Sequence, residues 1–163
     1  MTFTETLVEI PVRIDFDAAV PRFSRAVASL DHAATAELDR VGIDPATRDL
    51  VRLRASQLNG CSYCVDLHTK TGRSAGLTEQ KLHAVAIWRD SPLFTAAERA
   101  ALRLTESITR APETHVPDGD VDEALAHFGD ERTGALIALI VAINAWNLIG
   151  VATRCWPIER DED

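Results

Sequence analysis

A chain of 163 residues with 46% hydrophobic content is long enough to bury one core, so a single compact domain is the default organisation. Its formal net charge of -8, with no stripe of Lys or Arg, lacks the electrostatic footprint that attracts phosphate backbones and argues against a nucleic-acid partner. Three cysteines are too few for a disulfide framework, and in a reducing compartment a close pair points to catalysis or metal binding.

The opening "MTFTETLVEI" carries Glu5 and Glu9 in place of a basic region, and no uninterrupted apolar stretch leads to a small-residue cleavage site. A cytoplasmic protein is expected. "TLVEIPVRI", residues 6–14, holds the one weak strand-like alternation; the rest reads as helix, and the expected fold class is all-α. Residues 17–41 form one or two helices broken near Pro21, with His32 near a junction. Asp44 caps the next helix, Pro45 takes its first position, and Asn59-Gly60 stops it. Another helix starts at or beside Cys61 and runs to about Ser74. Thr78 then caps a helix through about Trp88. "TAAE", residues 95–98, is a capping box that opens a helix to about Arg110. "PETHVPDGD" is a turn-rich connection, followed by a short helix, Val121 to Phe128, and a long one from Glu131 to about Arg154. The domain core is expected over about residues 17–154, and residues 159–163, "ERDED", as a solvated tail.

Residues 134–153 contain no formal charge over about the length of a bilayer span. Asn144 and Asn147 argue against a membrane, because each would present an amide to hydrocarbon without an assured partner. A central helix buried on all sides is the better reading, and a chain this small draws some of the neighbours for it from another subunit. A homo-oligomer is expected.

The chemistry concentrates in "NGCSYCVDLH", residues 59–68. With Cys61 at a helix start, Cys64 at i+3 and His68 four further on share one face. A helix N-terminus favours a thiolate by about 0.3–1 kcal/mol when exposed and up to about 2 when partly buried, which selects Cys61. An imidazole one turn away accepts a thiol proton, which selects Cys64. Spacing alone leaves open which sulfur attacks. A sulfenic acid on either condenses with the other to a disulfide, so the pair suits peroxide reduction, and it suits plain disulfide exchange equally.

Several segments together resemble the alkylhydroperoxidase D-like branch of the carboxymuconolactone decarboxylase family: "DLVRLRASQLNGCSYCVDLHTK" at 49–70, "LHAVAIWRDSPLFTAAERAAL" at 82–102, "HVPD" at 115–118 and "LIALIVAINAWNL" at 136–148. The resemblance implies an all-helical fold with a cysteine-pair hairpin, and an oligomer, a hexamer built from dimers or trimers being common among similar single-domain members. It implies that Cys64 is the peroxidatic thiol, Cys61 the resolving one and His68 a proton relay. Asp49 stands where the family usually has a glutamate completing that relay, one methylene shorter. Tyr63 replaces a histidine of the best-studied branch, and Leu148 replaces the arginine that usually ends "NAWNR". The implied activity is thiol-dependent reduction of organic hydroperoxides without metal, haem or flavin. A dithiol donor, a lipoyl-bearing adaptor or a small redoxin, re-reduces the pair. Members with lactone decarboxylase activity lack the cysteine pair, so "CSYC" weighs against that reaction.

Other readings stand beside this one. Cys61, Cys64 and His68 with Asp49 or His83 form a candidate zinc set for a redox-sensing binding protein, although no second CxxC or HxxxH closes it. A pair of buried small hydrophobes beside a histidine is the plain packing alternative. Asp49 also reads as a first-turn carboxylate favoured by the helix dipole. Ser56 and Gln57 read equally as hairpin hydrogen-bonders or solvated surface. Cys155 reads as an idle thiol, His32, His83, His115 and His127 as surface or capping residues, and Trp88, Trp146 and Trp156 as core or interface anchors.

Overall fold

The structure, a computed structural model, describes residues 8–158. Thr6, Leu7 and the acidic tail at 159–163 lie outside them. Eight α-helices follow in order: α1 (Phe16–Ala19), α2 (Pro21–Val41), α3 (Pro45–Asn59), α4 (Ser62–Ser74), α5 (Glu79–Ala84), α6 (Ala96–Thr109), α7 (Ala111–Thr114) and α8 (Asp118–Thr153). No strand occurs among the described residues, so the fold class is all-α; residues 8–14 run extended without sheet pairing.

The helix starts follow from local chemistry. The Asp44 carboxylate accepts from the Thr47 amide at the start of α3, and the Thr78 hydroxyl accepts from the Lys81 amide at the start of α5. Thr95 and Glu98 satisfy each other's amides in a complete capping box at α6. Pro21 opens α2, as expected from its fixed φ.

Four details differ from the sequence expectation. His32 sits exposed well inside α2, because no residue between Pro21 and Val41 breaks the apolar stripe that ends in Ala34 and Leu38. The helix begun by Thr78 gives way after Ala84 to a 3-10 segment, Val85–Asp90, with Ile87 off helical geometry. Arg99, reaching back from α6, donates to the carbonyls of Trp88, Arg89 and Ser91 and so satisfies the tightened end. The turn-rich connection contains the one-turn helix α7, after which His115 and Val116 take left-handed conformations. The short C-terminal helix begins at Asp118, three residues earlier than expected, and meets the long one at Gly129, whose φ of 71° leaves helical geometry.

α8 packs on α2, α3 and α6. Leu38, Val51, Leu104, Leu136, Leu139 and Ile140 form one buried cluster around it. A second cluster, with Leu50, Leu53, Leu82, Val85, Trp88 and Leu102, fills the far side of α3, so that helix is buried on both flanks. Between the clusters lies an ionic knot. Glu106 on α6 accepts from Trp88 Nε1 at 2.8 Å and pairs with Arg54 at 2.7 Å and Arg89 at 2.6 Å. Burial pushes the Glu106 carboxyl up, but the bonds from Trp88 and Arg54 outweigh it and hold the group below its ordinary value.

By length and composition α8 is apolar enough to cross a membrane, yet its amides are satisfied inside this bundle. Asn147 is fully buried and donates to Ser56 Oγ at 3.0 Å. Asn59, the last residue of α3, donates to Asn147 Oδ1 at 3.0 Å and to Asn144 Oδ1 at 2.8 Å. Asn144 in turn donates to Thr109 Oγ1 and to the Ile140 carbonyl. The ladder ties α3, α6 and α8 together at the end where α4 begins. Replacing Asn147 by Ala leaves the Ser56 hydroxyl oxygen and one Asn59 donor bond without that partner in a dry site, and is expected to cost about 1–3 kcal/mol. Urea unfolding of N147A measures this; unchanged stability would show that the ladder contributes nothing net.

Candidate active site

The turn that builds the site is only two residues long. Gly60 follows α3 at φ 72°, the left-handed conformation that glycine adopts without a Cβ penalty. Its N–H donates to the Gln57 carbonyl and the Cys61 N–H to the Ser56 carbonyl, a Schellman ending. Cys61 then switches to extended geometry and serves as the N-cap of α4, its Sγ accepting from the Cys64 amide at 3.3 Å. Ending one helix and starting the next within Gly60 and Cys61 brings α4 back along α3. It also turns Cys64 and His68 toward the interior.

Cys61 and Cys64 are joined as a disulfide, their Cα atoms 5.3 Å apart. They are 2% and 3% exposed. His68 and Asp49 lie behind them, 9% and 6% exposed. His68 Nδ1 stands 3.4 Å from Asp49 Oδ1. That is ion-pair range; Nδ1 itself makes no hydrogen bond. Thr71 Oγ1 donates to the same carboxylate oxygen at 2.9 Å and fixes it.

Two cavities meet at the disulfide. The smaller, about 430 Å³, is lined by Cys64 and His68 with Arg52, Leu67, Ile143 and Trp146. The larger, about 1130 Å³, is lined by Cys61 with Val12, Arg13, Gly150 and Val151. Tyr63 and Trp156 border both. These rings lie 5.7 Å apart between centroids, and Trp156 meets Trp146 edge-on at 5.5 Å, so three aromatics form the partition.

The structure therefore brings together Cys61, Cys64, His68 and Asp49. It does not bring in His32, His83, His115 or His127, all exposed on other elements. No group of three or more His, Cys, Asp or Glu side chains suited to a metal ion occurs among the described residues. Ser56 is fully buried in the asparagine ladder, while Gln57 accepts from Arg54. Sequence reasoning missed Arg52, Thr71, Gly150 and the placement of Trp156. Thr71 and Arg52 carried a usable signal, lying three residues beyond His68 and Asp49 on the same helical faces. Gly150 and Trp156 carried none, since both reach the site from the far end of the chain.

An all-helical chain whose CxxC pair begins a helix in a two-residue hairpin is alkylhydroperoxidase D-like in fold. The chain belongs to the carboxymuconolactone decarboxylase family, which it matches over residues 6–107. It is 38% identical over 110 residues to the uncharacterized protein YdfG of Bacillus subtilis, covering 68% of this chain and 75% of that one. A crystal structure of an Agrobacterium tumefaciens protein of unknown function, for which an AhpD-type antioxidant defence role has been suggested, superposes with a TM-score of 0.84. The two share 37% identity over 91% of this chain and all of the other. A shorter match, 47% identical over 47 residues, links 28% of this chain to 27% of the alkyl hydroperoxide reductase AhpD of Mycobacteroides abscessus.

The cysteine arrangement has a direct readout. Denatured oxidised protein is expected to titrate one free thiol, Cys155, and reduced protein three. A count of three before reduction would show that the pair does not form its disulfide in the isolated protein.

Proposed function

We propose that the protein is a thiol-dependent peroxidase that reduces organic hydroperoxides through the Cys61–Cys64 pair. The observation that supports this reading best is the separation of the sulfurs: Cys64, not Cys61, shares a cavity with His68. In the reduced protein His68 accepts the Cys64 proton, with Asp49 stabilising the imidazolium across 3.4 Å. The Cys64 thiolate attacks the terminal peroxide oxygen, the O–O bond breaks, and the alcohol leaves with the proton from His68. Cys61 then attacks the Cys64 sulfenic acid, releasing water and closing the disulfide. A dithiol, on a lipoyl-bearing adaptor or a small redoxin, restores both thiols, and the cycle calls on no metal, haem or flavin. The apolar wall of Leu67, Ile143 and Trp146 suits an alkyl hydroperoxide better than a strongly solvated one. We place this chemistry in the cytoplasm, within one domain over about residues 17–154.

One equivalent of cumene hydroperoxide added to reduced protein is expected to consume two thiols rapidly. Cys64→Ser abolishes that loss, and His68→Ala slows it by about 10²–10⁴-fold, the usual range for a general base. Asp49→Asn slows it less, since it acts through the imidazole. Full hydroperoxide turnover by Cys64→Ser would sink the assignment. Wild-type protein that ignores hydroperoxide while exchanging disulfides quickly would instead select a dithiol oxidoreductase, a role that the roomier cavity at Cys61 also favours.

The working unit we propose is a homo-oligomer, with a hexamer as its favoured size. α8 leaves Val141 and Leu148 uncovered on its outer side, one seven-residue step apart, Leu148 at 64% exposure. A second copy of the chain covers that face. Sedimentation is expected to show an assembly larger than a dimer that Val141→Asp weakens; a stable wild-type monomer at micromolar concentration would refute it.

A further inference from the structure

We propose that the disulfide is used from two sides: the oxidant meets Cys64 in the smaller cavity, and the reducing dithiol enters the larger cavity and attacks Cys61. This rests on the dithiol-redox reading above and adds a binding site to it. The larger cavity has no part in the peroxide step, yet one wall of it is a redox-active sulfur.

Displacement at sulfur is collinear, so the side of approach decides which sulfur is attacked and which leaves. A thiolate arriving through the larger cavity finds Cys61 but not Cys64, which borders only the smaller one. It forms a bond to Cys61 Sγ, the Cys61–Cys64 bond breaks, and the electron pair leaves on Cys64. That sulfur is then a thiolate beside His68, ready for the next peroxide. Attack from the other side would leave the thiolate on Cys61 and the adduct in the peroxide cavity. The reductant's second thiolate next attacks its partner sulfur in the mixed disulfide, closing a cyclic disulfide and releasing Cys61. Two electrons pass from dithiol to protein, and the two thiol protons end on Cys61 and Cys64.

The cavity also states what kind of dithiol fits. Cys61 is almost fully buried at its inner end, so a thiol fixed to a broad protein surface cannot reach it; one on a slender arm can. Gly150 lets α8 lie close against the sulfur at the inner end of the cavity, where a Cβ would stand 2.9 Å from Cys61 Sγ. The walls mix apolar groups, Val12, Val151 and Trp156, with the charged Glu9, Arg13 and Arg154, and the Arg13 guanidinium is occupied by the carbonyls of Val151 and Ala152. A monothiol would be futile here, because Cys64 re-closes the disulfide and expels it.

The test uses full-length protein oxidised with diamide, so that it does not depend on peroxide. Oxidised protein is mixed with 2-mercaptoethanol, quenched rapidly with iodoacetamide, and mapped by mass spectrometry. The expected product carries the mercaptoethanol on Cys61 and the alkyl group on Cys64. The reverse labelling, or equal labelling of both, would overturn the proposal. In a second measurement, Val151→Trp narrows the Cys61 cavity and Leu67→Trp the Cys64 cavity. Reduction by dihydrolipoamide is expected to slow about tenfold or more in the first and less in the second, tenfold being about 1.4 kcal/mol of barrier. The opposite order would also overturn it. Protein that ignores hydroperoxide but places the monothiol on Cys61 would remove the peroxidase assignment and leave the sidedness standing.

Discussion

The single constraint on which the rest depends is the need to bury the uncharged stretch of α8, residues 134–153, which contains two asparagines. α8 cannot be packed until the amides of Asn144 and Asn147 are satisfied, and the partners available to them lie on α3 and α6. An unpaired buried amide forfeits more free energy than a paired one contributes, so these bonds specify register more than they add stability. Fixing Asn59 fixes the end of α3. That in turn sets where Gly60 and Cys61 reverse the chain, and hence where the Cys61 sulfur falls against Gly150 of α8.

From this register comes the unequal treatment of two chemically identical side chains. Cys61, as N-cap, feels the helix terminus directly and accepts an amide hydrogen bond. Cys64, one turn in, borders the cavity that His68 lines, with Asp49 3.4 Å from the imidazole. The helix end is worth at most about 2 kcal/mol in a partly buried setting, whereas an imidazole removes the proton outright. Neither effect needs the other. A two-residue turn therefore places the two sulfurs in different surroundings, one at the helix terminus and one in the cavity lined by His68.

Most of the fold was legible because its signals are short-range. Asp44, Thr78 and Thr95 announce their helices through hydroxyl and carboxylate caps that reach only to the third amide. The collapse of α5 into a 3-10 segment was not legible, since its cause is a guanidinium donated from the next helix. The site divides in the same way. Cys61, Cys64 and His68 follow from spacing within one helix, while Asp49 needed the family pattern, because only the hairpin angle brings it to His68. The aromatic partition and the two cavities depend on Trp156 and the extended segment at 8–13, which return to the site from opposite ends of the chain and leave no local trace. The burial of Ser56 was ambiguous for a related reason: a helical serine looks the same in sequence whether it faces water or an asparagine.

The turn at Asn59 and Gly60 has a consequence for how the protein ages. An Asn-Gly step is chemically fragile because the glycine nitrogen can attack the preceding side-chain amide, closing a succinimide that opens to Asp or isoaspartate. Here the Gly60 N–H is held by the Gln57 carbonyl, and the Asn59 amide is held by two other asparagines. Folded, the step is locked against that ring closure; unfolded, it is exposed to it. Once converted, the new carboxylate would face two amide oxygens in place of the hydrogen it used to offer them. A molecule that has spent time unfolded would thus carry a covalent record of it at the bond its active-site turn is built on.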